Sequence, residues 1–380
     1  MQLPPLGLYI HLPWCEKKCP YCDFNSHETR AIPEAEYIKA LLRDLEDDLP
    51  LVQGRAVQTL FIGGGTPSLF SGQAIRRLLE GISSITQVSP DFEATMEANP
   101  GSAEAGKFAE FRAAGINRLS LGVQSFDDAS LQALGRIHTS DQARAAIEFA
   151  HAADFDSLNI DLMHGLPGQT PGAAARDLAI ALACKPAHLS WYQLTIEPNT
   201  VFHKIPPQLP VEDALADIQQ AGEQLLADAG YQQYEVSAYS RGGFNCRHNL
   251  NYWSFGDYLG IGAGAHGKIS FPDGRIQRYA KRRQPEHYLK AERGEFTAAR
   301  GDVPTQDIAG EFMLNALRLN AGFSPEQFTV RTGLGSDSLA PGLEYCLQAG
   351  LLEMTANRIR ATGLGRRFLD SVIARFFVDS

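Results

Sequence analysis

One unit repeats through the first 230 residues: a short apolar, β-branched segment followed by a helical pattern. Leu8–Leu12, Gln58–Ile62, Phe92–Glu97, Arg118–Val123, Ser157–Met163 and His188–Leu194 read as strands. Helical patterns lie near residues 34–49, 71–86, 103–114, 141–153, 171–184 and 211–229. Strand and helix in alternation leave little choice but a parallel sheet with crossover helices. Six such units make either an open partial barrel or a doubly wound sheet. The polar residues at the strand ends choose between them. Gly63-Gly64-Gly65-Thr66, Glu97 and Gln124 follow or close strands, and Asp161 lies within one. These side chains converge if the strands share one end of a barrel-like sheet. A dinucleotide fold would carry a glycine fingerprint after its first strand, where this chain carries cysteines. The expected fold is α/β: a partial (β/α)6 barrel over residues 1–230. Residues 231–303, rich in glycine and aromatics, read as irregular and as closing the barrel. Residues 304–380 read as a small helical or winged-helix-like domain: three short helices, a hairpin over 351–361 and a last helix over 363–377.

Composition narrows the partners. The net charge is −10, which argues against a general nucleic-acid binder. The basic knot Lys281-Arg282-Arg283, beside Glu286, reads as a solvated helix surface. No apolar run reaches membrane-spanning length, and the Met-Gln-Leu-Pro-Pro start has neither a basic nor an apolar leader. The expectation is a cytoplasmic protein.

Six cysteines are present, and Cys15, Cys19 and Cys22 crowd into eight positions. Disulfide frameworks are not built this way. Cys184, Cys246 and Cys346 are scattered and read as buried small hydrophobes. Three thiolates on one loop suit a soft metal centre. A four-iron four-sulfur cubane held by three of them keeps one iron open to a small molecule. Zinc is the competing assignment, since His11 or His27 can supply a fourth ligand.

The loop Cys15-x-x-x-Cys19-x-x-Cys22 resembles the signature of the radical SAM superfamily. The stretches Leu8-Tyr9-Ile10-His11-Leu12-Pro13-Trp14 and Pro20-Tyr21-Cys22-Asp23-Phe24-Asn25 extend the likeness to the oxygen-independent coproporphyrinogen oxidase family, and within it to HemW-type heme chaperones. That resemblance implies a 4Fe–4S cluster on Cys15, Cys19 and Cys22 and S-adenosylmethionine (SAM) at its open iron. It implies that Gly64, Gly65 and Thr66 meet the aminoacyl end of SAM, and that Tyr9, Tyr21, Glu97, Gln124, Arg136, Asp161 and Leu194 surround it.

The same resemblance implies a heme site at His248-Asn249-x-x-Tyr252-Trp253, with Cys246 and His266 as further candidate ligands. Imidazole suits heme iron and the aromatics suit a porphyrin face. The implied function is heme delivery to a recipient hemoprotein, such as a membrane-associated respiratory enzyme, with an electron donor for the cluster and a homodimer as the candidate assembly. The alternative is anaerobic oxidation of coproporphyrinogen III to protoporphyrinogen IX. In that branch a further cysteine lies just beyond the triplet, whereas here Asp23-Phe24 follow Cys22.

Overall fold

The protein is described by a computed structural model covering residues 2–29, 31–101, 105–355 and 357–377. Six strands run parallel in chain order: β1 (Leu6–Leu12), β2 (Val57–Gly64), β3 (Val88–Ala98), β4 (Arg118–Gln124), β5 (Ser157–His164) and β6 (His188–Gln193). Between them run α1 (Glu34–Val52), α2 (Gly72–Ile85), α3 (Phe108–Ala114), α4 (Ser140–Ala152) and α5 (Pro171–Ala183), with α6 (Glu212–Asp228) after β6. The partial (β/α)6 arrangement is as expected. The first residues of the helix expected over 103–114 fall partly outside the described residues.

The outer layer is built by alternation. Leu8, Ile10, Leu60, Ile62, Met96, Leu119, Leu121, Ile160 and Leu189 are fully buried, packing against the helices. Each contributes about 1.5–3 kcal/mol by leaving water. On α2, Ile75, Leu78, Leu79 and Ile82 form the matching stripe, spaced for one helical face. Ser71 Oγ caps that helix, accepting from Ala74 N at 3.2 Å. Thr139 and Gln142 cap α4 reciprocally. Crossover starts are therefore fixed locally, before tertiary packing acts.

Residues 231–303 differ from the expectation of irregular chain. They hold β7 (Gln232–Glu235), β8 (Ala238–Ser240), helix α7 (Arg247–Trp253), and β9 (Asp257–Ile261), β10 (His266–Ser270), β11 (Ile276–Lys281) and β12 (Thr297–Asp302). The twelve strands form one sheet in the order β12-β11-β10-β9-β1-β2-β3-β4-β5-β6-β8-β7. β9 is parallel to β1, and β10, β11 and β12 continue antiparallel. These strands are three to six residues long and interrupted by charge, so no apolar run announces them.

The basic knot is also not a solvated helix. Lys281 ends β11 with its side chain 1% exposed, its Nζ lying 2.6 Å from Asp44 Oδ1 and 2.7 Å from Asp48 Oδ2 of α1. Burial lifts the Asp44 carboxyl to about 6, and Lys281 opposes that shift. A second buried carboxylate, Asp257, takes Arg55 at 2.7 Å and Lys268 at 3.1 Å. These two ionic clusters tie the antiparallel extension to α1 and to the chain that follows it.

The C-terminal unit has its own core, in which Phe312 meets Phe323 and Phe328 edge-on at 5.0 and 5.1 Å. Its helices α8 (Ile308–Ala316), α9 (Pro325–Thr332) and α10 (Ala340–Gln348) precede a hairpin, Leu352–Met354 with Ile359–Ala361. The last expected helix is broken at Phe368 into Gly363–Arg367 and Leu369–Ala374. Phe255 and Ile276, from the strand extension, belong to this core as well.

Removing one member of a buried ionic cluster leaves charge without a partner. Lys281→Ala is expected to lower the unfolding free energy by about 3–5 kcal/mol. Arg293→Ala, at the exposed pair with Asp47, is expected to cost less than about 1 kcal/mol. Urea denaturation of both variants checks the contrast.

Candidate functional site

The inward side chains of β1 to β6 are polar where the outward ones are apolar. Thr59, Glu93, Thr95, Glu97, Arg118, Ser120, Gln124, Asn159, Asp161, His188, Ser190 and Tyr192 occupy the alternate positions, and strand pairing sets several side by side, such as Glu97 with Ser120 and Asn159 with His188. Asp161 accepts from Ser120 Oγ at 3.0 Å and from Asn159 Nδ2 at 2.8 Å. The buried carboxylate thus has the partners that burial requires.

The cysteine loop is pinned at its base. Trp14–Cys15 pairs with His27–Glu28, and His27 N donates to Pro13 O at 2.7 Å. Phe202 N donates to Pro20 O at 3.0 Å and holds the loop's far side. Two glycines, Gly64 closing β2 and Gly65 after it, permit the approach. Gly64 has φ +116°, and a Cβ there would meet the His11 ring at 2.6 Å. A Cβ on Gly65 would lie 2.5 Å from Trp14 O.

Cys15, Cys19, Cys22, Tyr21, Gly64, Gly65, Thr66, Glu97, Gln124, Arg136 and Asp161 all line one cavity of about 150 Å³. Burial pushes the Cys15 and Cys22 thiols up when no metal is bound. Arg136 carries a donor to Cys19 Sγ at 3.8 Å, and also donates to Asn99 Oδ1 at 2.7 Å and Gly122 O at 2.8 Å. Arg136 thus points into the cavity rather than to a surface ion pair. Three thiols, one adjacent guanidinium and a glycine-lined wall fit a cluster with three protein ligands. The competing zinc site is poorly served by His11. Its Nε2 lies 2.9 Å from Asn25 O and its Nδ1 3.0 Å from the Tyr9 hydroxyl.

Glu97 is lifted to about 7, first by burial and then by the charge of Asp161, while the Gly64 N–H at 3.2 Å opposes the shift. A carboxylate held under this strain gains most when a cation arrives. Gln124 sits at φ +69°, an uncommon conformation for a side-chain-bearing residue, with Oε1 accepting from Tyr192 at 2.9 Å.

Two residues expected around SAM do not line this cavity. Leu194 does not line this cavity but packs with Leu134, Met163, Leu166 and Phe202 behind Tyr21. Tyr9 lines a second cavity of about 920 Å³. Asn99 and Tyr192 line the first cavity and were not singled out from sequence. Asn99 had a signal, since it stands at a strand end before Pro100, whereas Tyr192 is one aromatic in an apolar run.

The second cavity lies among β9 to β12, α7, α8 and the cysteine loop. Tyr252, Trp253, Tyr258, Phe24 and His266 are among its walls. Phe24 lines both cavities. The expected heme motif is divided here. Tyr252 and Trp253 face the cavity, whereas His248 and Asn249 do not line it. His248 is fully buried, with Nδ1 2.9 Å from Thr59 Oγ1 and its ring between Phe61 and Tyr252. Burial pushes that imidazole down to about 3. Glu93 caps α7 by accepting from Arg247 N and His248 N. Cys246 and Cys346 are buried and Cys184 is half-buried.

A partial (β/α)6 barrel with three cysteines on the loop after its first strand defines a radical SAM protein. Residues 9–179 match the Radical SAM superfamily, and residues 303–368 match the HemN C-terminal domain. The chain belongs to the HemW family within that superfamily. It is 49% identical over 380 residues to the heme chaperone HemW of Escherichia coli, covering 100% of both chains. It is 34% identical to the heme chaperone HemW of Bacillus subtilis, covering 97% of this chain and 98% of that one. The solved structure of coproporphyrinogen III oxidase (HemN) from Escherichia coli superposes with TM-score 0.83 at 25% identity, covering 98% of this chain and 90% of that one.

Two outcomes test the site. Cys19→Ser is expected to abolish the intact cubane, read as lost visible absorption and lost iron and sulfide per chain after anaerobic reconstitution. The second concerns Glu97. Its folded pKa, about 7, lies above its ordinary 4.5, so the metal-free protein is favoured below 4.5 and loses stability as pH rises to 7. Glu97→Gln is therefore expected to stabilise the metal-free protein at pH 8, by up to about 3 kcal/mol, while weakening SAM binding. Denaturation at pH 5 and pH 8, with SAM titration by calorimetry, checks both signs.

Proposed function

We propose that the protein is a heme chaperone, which binds heme and delivers it to recipient hemoproteins such as membrane-associated respiratory enzymes. The observation that carries this is the aromatic cavity of about 920 Å³ beside the cysteine loop. Its volume lies near the top of the range of about 300–1,000 Å³ for small-molecule sites, which suits a macrocycle. The names of the full-length relatives point the same way. Tyr252 and Trp253 supply apolar faces for a planar ligand.

When bound, the cluster and SAM supply reductive cleavage of a sulfonium or a gate set by SAM occupancy. Around them, Cys15, Cys19 and Cys22 hold the cluster. Gly64, Gly65 and Thr66 offer backbone and hydroxyl groups to the aminoacyl end, Glu97 and Asp161 hold the ammonium or ribose, and Gln124, Arg136 and Tyr21 complete the walls. Phe24, exposed at 61%, lines both cavities. An electron donor reduces the cluster, and a second copy of the chain is the assembly partner. No helix among the described residues is long and apolar enough to cross a membrane. We infer that the protein works in the cytoplasm and meets membrane enzymes at their cytoplasmic side.

The second reading, oxidation of coproporphyrinogen III, draws on the HemN likeness. Asp23-Phe24 in place of a further cysteine speaks against it. One experiment separates the two. Heme-loaded, anaerobically reconstituted protein is mixed with the heme-free form of a b-type respiratory reductase. Transfer of the Soret band to the acceptor and recovery of its activity are expected. Protoporphyrinogen IX formed with SAM consumption, and no heme transfer, would establish the oxidase instead.

A further inference from the structure

We propose that Arg318, in the turn after α8, is a positioning residue for the large cavity: stacked on the Trp253 indole, it fixes that ring as a wall and so makes the C-terminal unit part of the heme site. This rests on the heme reading above and adds to it a residue that acts through another side chain.

Trp253 closes α7 and lines the cavity. An aromatic wall serves best when its plane is set in advance, because ordering a side chain on binding costs affinity. Tyr252 meets the indole edge-on at 6.3 Å. The Arg318 guanidinium carbon lies 4.3 Å from the ring centroid. One face of the indole is therefore taken by a cation, and the other face and the edge remain for a ligand. The indole N–H is buried with no acceptor among the described residues. A held ring thus offers a flat ligand both a face and a donor.

Arg318 is itself held. Its Nη2 lies 3.5 Å from Oε2 of Glu235, the last residue of β7, which is buried. Burial lifts that carboxyl, and the charge of Arg318 opposes the lift. Ser237 N donates to the other carboxylate oxygen at 3.2 Å. The guanidinium is thus placed between a fixed anion and the ring. Arginine suits this place, since its flat head can stack and pair at once, whereas a lysine ammonium is a point charge.

Other contacts dock the C-terminal unit. Glu235 and Leu319 pair as an antiparallel bridge. Asn320 N donates to Tyr234 O at 3.0 Å, and Asn320 Nδ2 to Gln233 O at 2.9 Å. Elsewhere Glu311 of α8 pairs with Arg278 of β11, and Phe255 and Ile276 share the C-terminal core. With docking secured in this way, the stack is left with the orientation of Trp253 as its task. Leu314 and Asn315 line the same cavity, so the segment from Glu311 to Arg318 frames it from Arg278 to Trp253.

The test is a double-mutant cycle of Arg318→Ala and Trp253→Leu, read by hemin titration of the anaerobically reconstituted full chain. SAM affinity, iron content and thermal midpoint are measured in parallel. Arg318→Ala is expected to weaken hemin binding about tenfold when Trp253 is present. With Trp253→Leu in the background it is expected to cost less than about twofold more, because it acts through that ring. Arg318→Lys keeps a cation opposite Glu235 and is expected to hold the thermal midpoint while still weakening hemin binding severalfold. It carries the same cycle if Arg318→Ala does not fold. Asn320→Ala, which loosens docking without touching the ring, is expected to lower the midpoint and leave hemin and SAM affinity unchanged. Additive losses in the cycle, unchanged hemin affinity in the Arg318 variants, a parallel loss of SAM affinity, or an equal loss in Asn320→Ala would overturn the assignment. Absence of saturable hemin binding by the wild-type, cluster-loaded protein would instead overturn the chaperone reading itself.

Discussion

Successive side chains on a strand must point to opposite faces, and in six parallel strands that period of two separates the protein's stability from its chemistry. Leu60, Met96, Leu119 and Ile160 face the helices, and their neighbours Thr59, Glu97, Ser120 and Asp161 face the interior. A one-residue slip in any strand would exchange the two sets. The register is held because the apolar set has a helix to cover it and the polar set has hydrogen-bond partners only inside. Asp161 between Ser120 and Asn159 illustrates this, since its carboxylate would be costly anywhere less furnished.

The same constraint stores electrostatic strain where ligand is expected. Glu97 and Asp161 share the interior, and burial raises both carboxyls, against which Arg118 lowers Asp161. Hydrophobic packing of the outer layer offsets this cost, because the strands that carry the strained groups are the ones most deeply buried. Gln124, held at positive φ at the end of β4, belongs to the same pattern of local strain supported by a rigid sheet. Backbone hydrogen bonds fix the cysteine loop to the turn after β2, through Thr66 N and Trp14 O, and to Phe202 on its far side, so the three thiols and the strand ends keep one geometry.

The strand extension beyond β1 turns a cluster protein into one with two cavities. Buried ion pairs at Asp257 and at Asp44, Asp48 and Lys281 dock that extension on α1. Docking in turn brings His266, Tyr258, Tyr252 and Trp253 into the wall of one cavity, to which Leu314 and Asn315 of the C-terminal unit also belong. Phe24 lines both cavities and the hydrogen-bonded pair Tyr9–His11 lines the larger one, so the cysteine loop forms part of the wall of each.

Sequence by itself determined the barrel and the gathering of the three thiols on one loop, because both are encoded over short range. Three thiols within eight residues must share a loop, and strand–helix repetition must give parallel pairing. That Gly64, Gly65, Thr66, Glu97, Gln124 and Asp161 line one cavity was legible for the same reason, each marked by its position at or in a strand. The tertiary structure alone decided what lies between distant segments. Lys281 looks like a surface cation until α1 sets two carboxylates against it. Tyr9 and Leu194 stand near cluster-side residues in sequence pattern but face another cavity and a separate apolar cluster. His248 and His266 are both plain histidines near aromatics in the chain. Only packing across β1, β2, α7 and β10 buries one and exposes the other, since accessibility depends on neighbours that sequence proximity does not specify.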